Sequence, residues 1–248
     1  MWWHATSPIG KLLRLPLALL PRNAVMPVLR GPNRGLRWIA RSTPHGAWLG
    51  LLEAEKLRLF ASHLRPGMEV WDVGANVGLY TLAAARAVGA EGGVAAFEPM
   101  EANLAFLRRH LELNRLGEVR VVDKAVSDHR GILRMAEGDS PSEFHADPEG
   151  SYEVEAIALD DWARETGAPP PGLLKIDVEG AEGAVLRGAE GVLASARPVV
   201  FLALHGQAER RRCREILDRL GYRVRSLEPE PPEESCEWLA VPSEEAKR

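Results

Sequence analysis

Cysteine is scarce in these 248 residues: Cys213 and Cys236 are the only two, and they fit no C-x-x-C or zinc-ligand spacing. A disulfide-stapled secreted scaffold is excluded, and a reduced, cytoplasmic setting is expected. Long apolar runs are also missing. The longest near the N-terminus, residues 15–20, contains Pro16 and lies between Arg14 and Pro21, whereas about 18 residues are needed to cross a bilayer. Neither a transmembrane helix nor a clear secretory signal is expected. There is no general excess of positive charge, since 31 basic residues face 35 acidic ones. Duplex nucleic acid therefore has no broad electrostatic reason to bind.

Negative charge is what the N-terminal part lacks. Residues 1–47 hold Lys11, Arg14, Arg22, Arg30, Arg34, Arg37 and Arg41 with no Asp or Glu, so the net charge of −4 divides into +7 there and −11 beyond. Two accounts fit. Trp2, Trp3 and the leucines after them dip into an anionic membrane interface through residues 1–30, or they pack on the main domain or on a second copy in a homodimer, with the arginines outward. Packing is the favoured account.

What is present suffices for one core, because 46% of the residues are hydrophobic and a chain near this length buries roughly 70–75% of its extended surface. Pro and Gly recur every few residues up to Gly46, which sets off residues 1–48 as an appendage covering the site and 49–248 as the main domain. In the appendage, 26–29 and 36–40 read as strand, turn and strand. Residues 49–64 carry apolar positions at helical spacing and stop at Pro66-Gly67. Strands are then expected at 68–73, 93–98, 119–123, 173–177 and 198–205, alternating with helices at 78–88, 100–114, 181–196 and 208–220. Such alternation predicts an α/β fold with a mainly parallel sheet and helices on both faces. Extended pieces at 130–135 and 152–158 flank a polar loop, and residue 159 opens a short helix with Asp at its cap. Segments 222–227 and 236–241 form a closing antiparallel hairpin, which brings the sheet to seven strands. The acidic stretch 228–234 between them is a solvated loop.

The sharpest local feature is Val70-Trp-Asp72-Val-Gly74-Ala75-Asn76-Val-Gly78-Leu-Tyr80, a strand running into two glycines four apart and then a helix. The glycines permit a tight turn and close approach of a ligand. The spacing is neither G-x-G-x-x-G nor G-x-x-x-x-G-K-[ST], so pyrophosphate-cradling readings, a nicotinamide oxidoreductase among them, lose ground. Asp72 suits a cofactor with an ammonium or sulfonium. Glu98, at the end of the second strand and followed by Pro99, can accept the two hydroxyls of a ribose. Together they point to an adenosine.

In these residues the sequence resembles class I S-adenosylmethionine-dependent methyltransferases, whose first motif is an acid, one residue, Gly, three residues and Gly. Ala125-Val126-Ser-Asp128, Leu159-Asp-Asp161 and above all Lys175-Ile-Asp177-Val-Glu179-Gly-Ala-Glu182 narrow the resemblance to the FkbM family over roughly residues 27–242. The resemblance implies a Rossmann-like methyltransferase fold and transfer of a methyl group to a hydroxyl of a sugar, glycan or secondary metabolite. It implies that Asp72, Gly74, Ala75, Asn76 and Gly78 line the methionine end of the cofactor. Glu98 would meet its ribose, Lys124, Ala125 and Val126 its adenine, Tyr80 and Pro99 would also touch the cofactor, and Asp177 would lie near the methyl group. The family's usual Glu-x-His reads Ala203-Leu-His205 here.

An alcohol nucleophile must lose a proton, so a base or metal is expected. His205 is the first candidate base, since a free imidazole titrates near 6.5; Asp177 is the second, followed by Glu179. Asp177, Glu179 and Glu182 are a candidate site for a divalent cation through oxygen ligands, with helix capping an equal account of the two glutamates. Lys175 is expected to pair rather than react. Trp48 and Glu53 either reach the substrate or pack. The alternatives are a protein of the same fold that binds cofactor without turnover, and an N-methyltransferase of a protein or small amine.

Overall fold

The computed structural model describes residues 21, 23–43, 47–138 and 144–243; residues 1–20, on which most of the expected membrane contact rests, lie outside them. Strands β1 (Val25–Pro27) and β2 (Arg37–Ile39) form an antiparallel hairpin, followed by a 3-10 turn at Ala47–Leu49 and helix α1 (Ala54–Ser62). This helix begins later than its periodicity suggests, because Gly50 and Glu53 both take left-handed backbone angles. A Cβ at Gly50 would lie 2.3 Å from the carbonyl oxygen of Arg30, so the chain crosses the hairpin where only glycine fits.

Alternation then proceeds through β3 (Glu69–Val73), α2 (Leu79–Val88), β4 (Gly93–Phe97), α3 (Glu101–Asn114) and β5 (Val119–Val122). Four short strands follow: β6 (Ala125–Val126), β7 (Gly131–Glu137), β8 (Phe144–Ala146) and β9 (Tyr152–Ile157). They make a separate sheet in the order β6-β9-β7-β8, where the sequence suggested only extended pieces around a loop. The chain finishes with α4 (Leu159–Thr166), β10 (Leu173–Ile176), α5 (Glu182–Arg187), α6 (Glu190–Ser195), β11 (Val199–Ala203), α7 (Gln207–Arg219), β12 (Tyr222–Ser226) and β13 (Glu237–Pro242).

The main sheet runs β12-β13-β11-β10-β3-β4-β5, with β5, β4, β3, β10 and β11 parallel and β13 antiparallel to both its neighbours. This is the seven-stranded, mainly parallel sheet with a closing hairpin that the sequence implied. Strand order reverses beside β3, which opens a crevice at the carboxyl ends of β3 and β10. Alternate residues of each strand feed opposite faces. Val70, Val94 and Ala96 join Trp38, Phe60, Leu82 and Leu107 in one core, whereas Trp71, Ala95 and Phe97 join Trp162, Leu186, Leu217 and Trp238 in the other.

Two local expectations are corrected. The helix expected over 181–196 is two helices broken at Gly188-Ala189, because the chain there passes against β6: a Cβ at Gly188 would lie 2.0 Å from the carbonyl oxygen of Ser127. Asp160 does not cap its own helix, whose N-cap is Ala158. Its carboxylate instead accepts from the backbone N–H groups of Gly191 at 2.7 Å and Val192 at 2.8 Å, and so caps α6.

The N-terminal hairpin is fastened to the crevice through His110. The N–H of Ile39 donates to its Nε2 at 3.0 Å, so the proton is on Nδ1, which donates to the carbonyl of Val77 at 2.8 Å. Trp38 stacks on the ring at 4.1 Å. Burial pushes the His110 pKa down to about 4, and the neutral imidazole is a fixed strut.

Candidate active site

The loop leaving β3 is shaped by backbone contacts. Gly74 has φ +76, and a Cβ there would lie 1.8 Å from the carbonyl oxygen of Asp177, so the loops after β3 and β10 touch. The N–H groups of Gly74 and Ala75 both donate to the carbonyl of Phe97. Asn76 is also left-handed, and its side chain accepts from the N–H of Val77 at 2.7 Å, the local bond that makes Asn tolerable there.

Above these loops lies an open cleft. Of the residues expected at the cofactor, Gly74, Asn76, Glu98, Pro99, Lys124, Ala125, Val126 and Asp177 line it. Glu179 is on the same wall, and Leu133, Met135, Phe144 and Ala146 of the second sheet close it over. None of these four side chains stands out in the sequence, since a three-residue strand such as β8 carries no usable periodicity.

Glu98 is buried at the bottom of the cleft. Its Oε1 accepts from Met100 N–H at 3.0 Å and Asn103 Nδ2 at 3.2 Å, and its Oε2 from Asn76 N–H at 2.9 Å. Burial raises its pKa and the three donors act against that rise. A carboxylate has about four acceptor positions, and the protein's own donors take three of those on Glu98.

Four residues expected at the cofactor do not line the cleft. Ala75 is buried, and Gly78 caps α2 where a Cβ would lie 2.7 Å from Leu107. Asp72 is fully buried beneath the loop, with Thr81 donating to it at 2.6 Å and Lys175 3.3 Å away. Lys175 also donates to the carbonyl of Gly74 at 2.7 Å and stands 3.7 Å from Asp177. Burial works against its charge, but Asp72, Asp177 and Glu53 outweigh it and the pKa is raised.

The fourth, Tyr80, lines a second, smaller and open cavity together with Glu53, Lys56, Lys175, Asp177, Ala203 and Glu237. Its hydroxyl donates to Glu53 at 2.5 Å, and burial, reinforced by Glu53, holds its pKa far above the ordinary value. Lys56 lies 2.5 Å from Glu237 and 3.9 Å from Glu53. Glu53, for which substrate contact or packing were both open, is thus in a cavity wall, while Trp48 is buried in the core. Asp177 lines both cavities.

His205, the first candidate base, lines neither cavity. Its Nδ1 lies 2.8 Å from Glu182, and its Nε2 lies 3.1 Å from Glu179 and 4.0 Å from Asp177. The hydrogen bond to Glu182 pushes its pKa up to about 9 against the effect of burial, with Glu179 adding to the rise. The shift favours the protonated imidazole, opposite to what the free base expected there requires. The expected cation set is corrected too. Glu182 is fully buried and turned back onto His205 and the N–H of Gly180. The groups that do converge are Asp177, Glu179 and His205, with one ligand atom from each within 4.8 Å of the others.

Sheet order, crevice and paired loops define the class I methyltransferase fold. The Methyltransferase FkbM domain model matches residues 72–224, and the chain belongs to that family. A relative named 31-O-demethyl-FK506 methyltransferase FkbM, from Streptomyces tacrolimicus, is 35% identical over 163 residues, with 51% of this chain and 61% of the relative covered. The chain thus spans less than two thirds of that relative's length. The crystal structure of methyltransferase FkbM from Methylobacillus flagellatus KT has the same fold at a TM-score of 0.51 and 18% identity, covering 75% of this chain and 50% of the other. Among the described residues, no helix is long and apolar enough to cross a membrane.

Proposed function

We propose that the protein is an S-adenosylmethionine-dependent O-methyltransferase, with the cofactor in the larger cleft and the acceptor in the smaller. The observation that carries this reading is that Asp177 lines both cavities. Bound S-adenosylmethionine supplies an electrophilic methyl group on a sulfonium. Gly74 and Asn76 offer backbone to its methionine part, Glu98 takes a ribose hydroxyl, and Lys124, Ala125 and Val126 meet the adenine under the apolar cover of β7 and β8. The chain's own part would be to align an acceptor oxygen with that methyl group within about 3–3.5 Å, the methyl passing to oxygen and a neutral thioether remaining, and such alignment would supply most of the acceleration. The hydroxyl proton passes to the Asp177 carboxylate, which faces the acceptor side. The relative named for 31-O-demethyl-FK506 supports an oxygen acceptor, and a hydroxyl of a sugar, glycan or secondary metabolite is the acceptor proposed.

A second reading places a divalent cation on Asp177, Glu179 and His205, favoured by the convergence of their ligand atoms. Glu182 would then orient His205 through Nδ1. Loss of turnover in EDTA with recovery on added Mg²⁺ or Mn²⁺ supports the cation, and unchanged turnover removes it.

Calorimetric titration with S-adenosylmethionine and S-adenosylhomocysteine, with NADH as control, tests the reading. Binding of the first two alone, followed by label transfer from methyl-labelled cofactor to a hydroxyl compound, is the expected result. Cofactor binding without transfer to any acceptor supports a binding protein, transfer to amines alone an N-methyltransferase, and no binding by folded protein overturns all three.

A further inference from the structure

The smaller cavity has an uneven balance of charge. Glu53, Asp177 and Glu237 line it against Lys56 and Lys175. Lys175 is already committed beneath the loop to Asp72 and the carbonyl of Gly74. Lys56 is held between Glu237 and Glu53, so both ammonium groups are matched by the protein itself. Tyr80 donates its hydroxyl to Glu53. Three carboxylates still outnumber two ammonium groups in this lining, and a carboxylate offers about four acceptor positions, more than these partners fill.

The residues that make this rim also lie outside the segment that defines the family. Glu53 and Lys56 precede residue 72 and Glu237 follows residue 224, whereas the cleft assigned to the cofactor is built from within those limits. The rim is thus built from residues on either side of the matched segment, and the cofactor cleft from residues within it.

We propose that the Glu53–Lys56–Glu237 rim determines acceptor specificity by charge, admitting hydroxyl- or amine-rich molecules without negative charge and rejecting phosphorylated or carboxylated ones. The proposal rests on the reading of this cavity as the acceptor site. A hydroxyl or ammonium group satisfies the carboxylates, while an anion brings like charge against Glu53, Asp177 and Glu237 and leaves their acceptor positions unpaired.

The test uses a polar small-molecule extract of the cells that encode the chain, split by ion exchange into anionic, neutral and cationic fractions. Each is incubated with the protein and radiolabelled S-adenosylmethionine. Labelled product is expected from the neutral or cationic fraction. Glu53→Gln and Glu237→Gln each raise the half-saturating amount of that fraction roughly tenfold, with maximal rate and cofactor affinity within about twofold. The double variant leaves Lys56 unopposed and shifts labelling toward the anionic fraction, whereas Glu53→Asp keeps the charge and the original preference. A merely structural ion pair would change melting temperature without moving this preference. Product chiefly from the anionic fraction, or unchanged half-saturation in both single variants, overturns the proposal alone. No product from any fraction, with the cofactor bound, overturns the enzyme reading and the proposal with it.

Discussion

Lys175 donates to the carbonyl oxygen of Gly74 at 2.7 Å, tying the middle of one strand's end to the loop of its neighbour. The same ammonium is the charge partner of the fully buried Asp72. Lys175→Met removes that partner and leaves a carboxylate buried alone, a change that costs about 3–5 kcal/mol in comparable pairs. Guanidinium unfolding should show a lowered midpoint, and an unchanged midpoint would refute the buried pair as a support of the loop.

The neutral His110 strut makes stability depend on acid. Its folded pKa of about 4 lies below the ordinary 6.5, so as pH falls from 6.5 the unfolded chain takes up a proton that the folded chain refuses. This contribution is fully present above pH 6.5 and declines by roughly 3 kcal/mol by pH 4. Unfolding free energies across that range should fall faster for the wild type than for His110→Phe, which has no such proton to take up. Parallel pH profiles would contradict the assignment.

Glu98 and Tyr80 were expected at the same ligand, and the structure separates them. Glu98→Gln replaces an acceptor by a donor against N–H groups and should weaken S-adenosylmethionine binding at least about tenfold. Tyr80→Phe should leave that affinity within about twofold while costing about 1 kcal/mol of stability from the lost bond to Glu53. Calorimetry on both variants decides; a large loss of cofactor affinity in Tyr80→Phe would return that side chain to the cofactor.

Two glycines with positive φ should respond differently to the same substitution. Gly180 has φ +100 with nothing within 4 Å of an added Cβ, so Gly180→Ala meets only backbone strain, about 1–2 kcal/mol. Gly74→Ala meets strain and a carbonyl oxygen 1.8 Å away, on the order of 3 kcal/mol or more, with loss of cofactor binding. Equal stabilities of the two variants would contradict the contact between Gly74 and Asp177.

The parallel strands were readable because they are covered on both faces: β4 and β11 appear as continuous apolar runs, and β3 and β10 as apolar runs each carrying one buried charge, Asp72 and Lys175. The glycine loop was readable because its constraint is local. Other features depend on partners distant in the chain: Gly188 breaks a helix against Ser127, and Asp160 caps a helix 30 residues further on. His205 looked like a base because its strand position is visible in sequence, whereas the three carboxylates around it are assembled only by the fold. Tyr80 follows the glycines, but the helix turns its ring away from the cleft they border and over Lys175.

Strand β13 is inserted between β11 and β12, both of which precede it in the chain. During synthesis, β12 therefore has no partner and the outer edge of β11 is bare until residues 237–242 emerge and slot between them. A half-made chain presents an apolar strand edge of the kind that recruits other chains. A chain cut back to the family segment would keep that edge permanently, and would be expected to aggregate although every residue of the cofactor cleft is still in it.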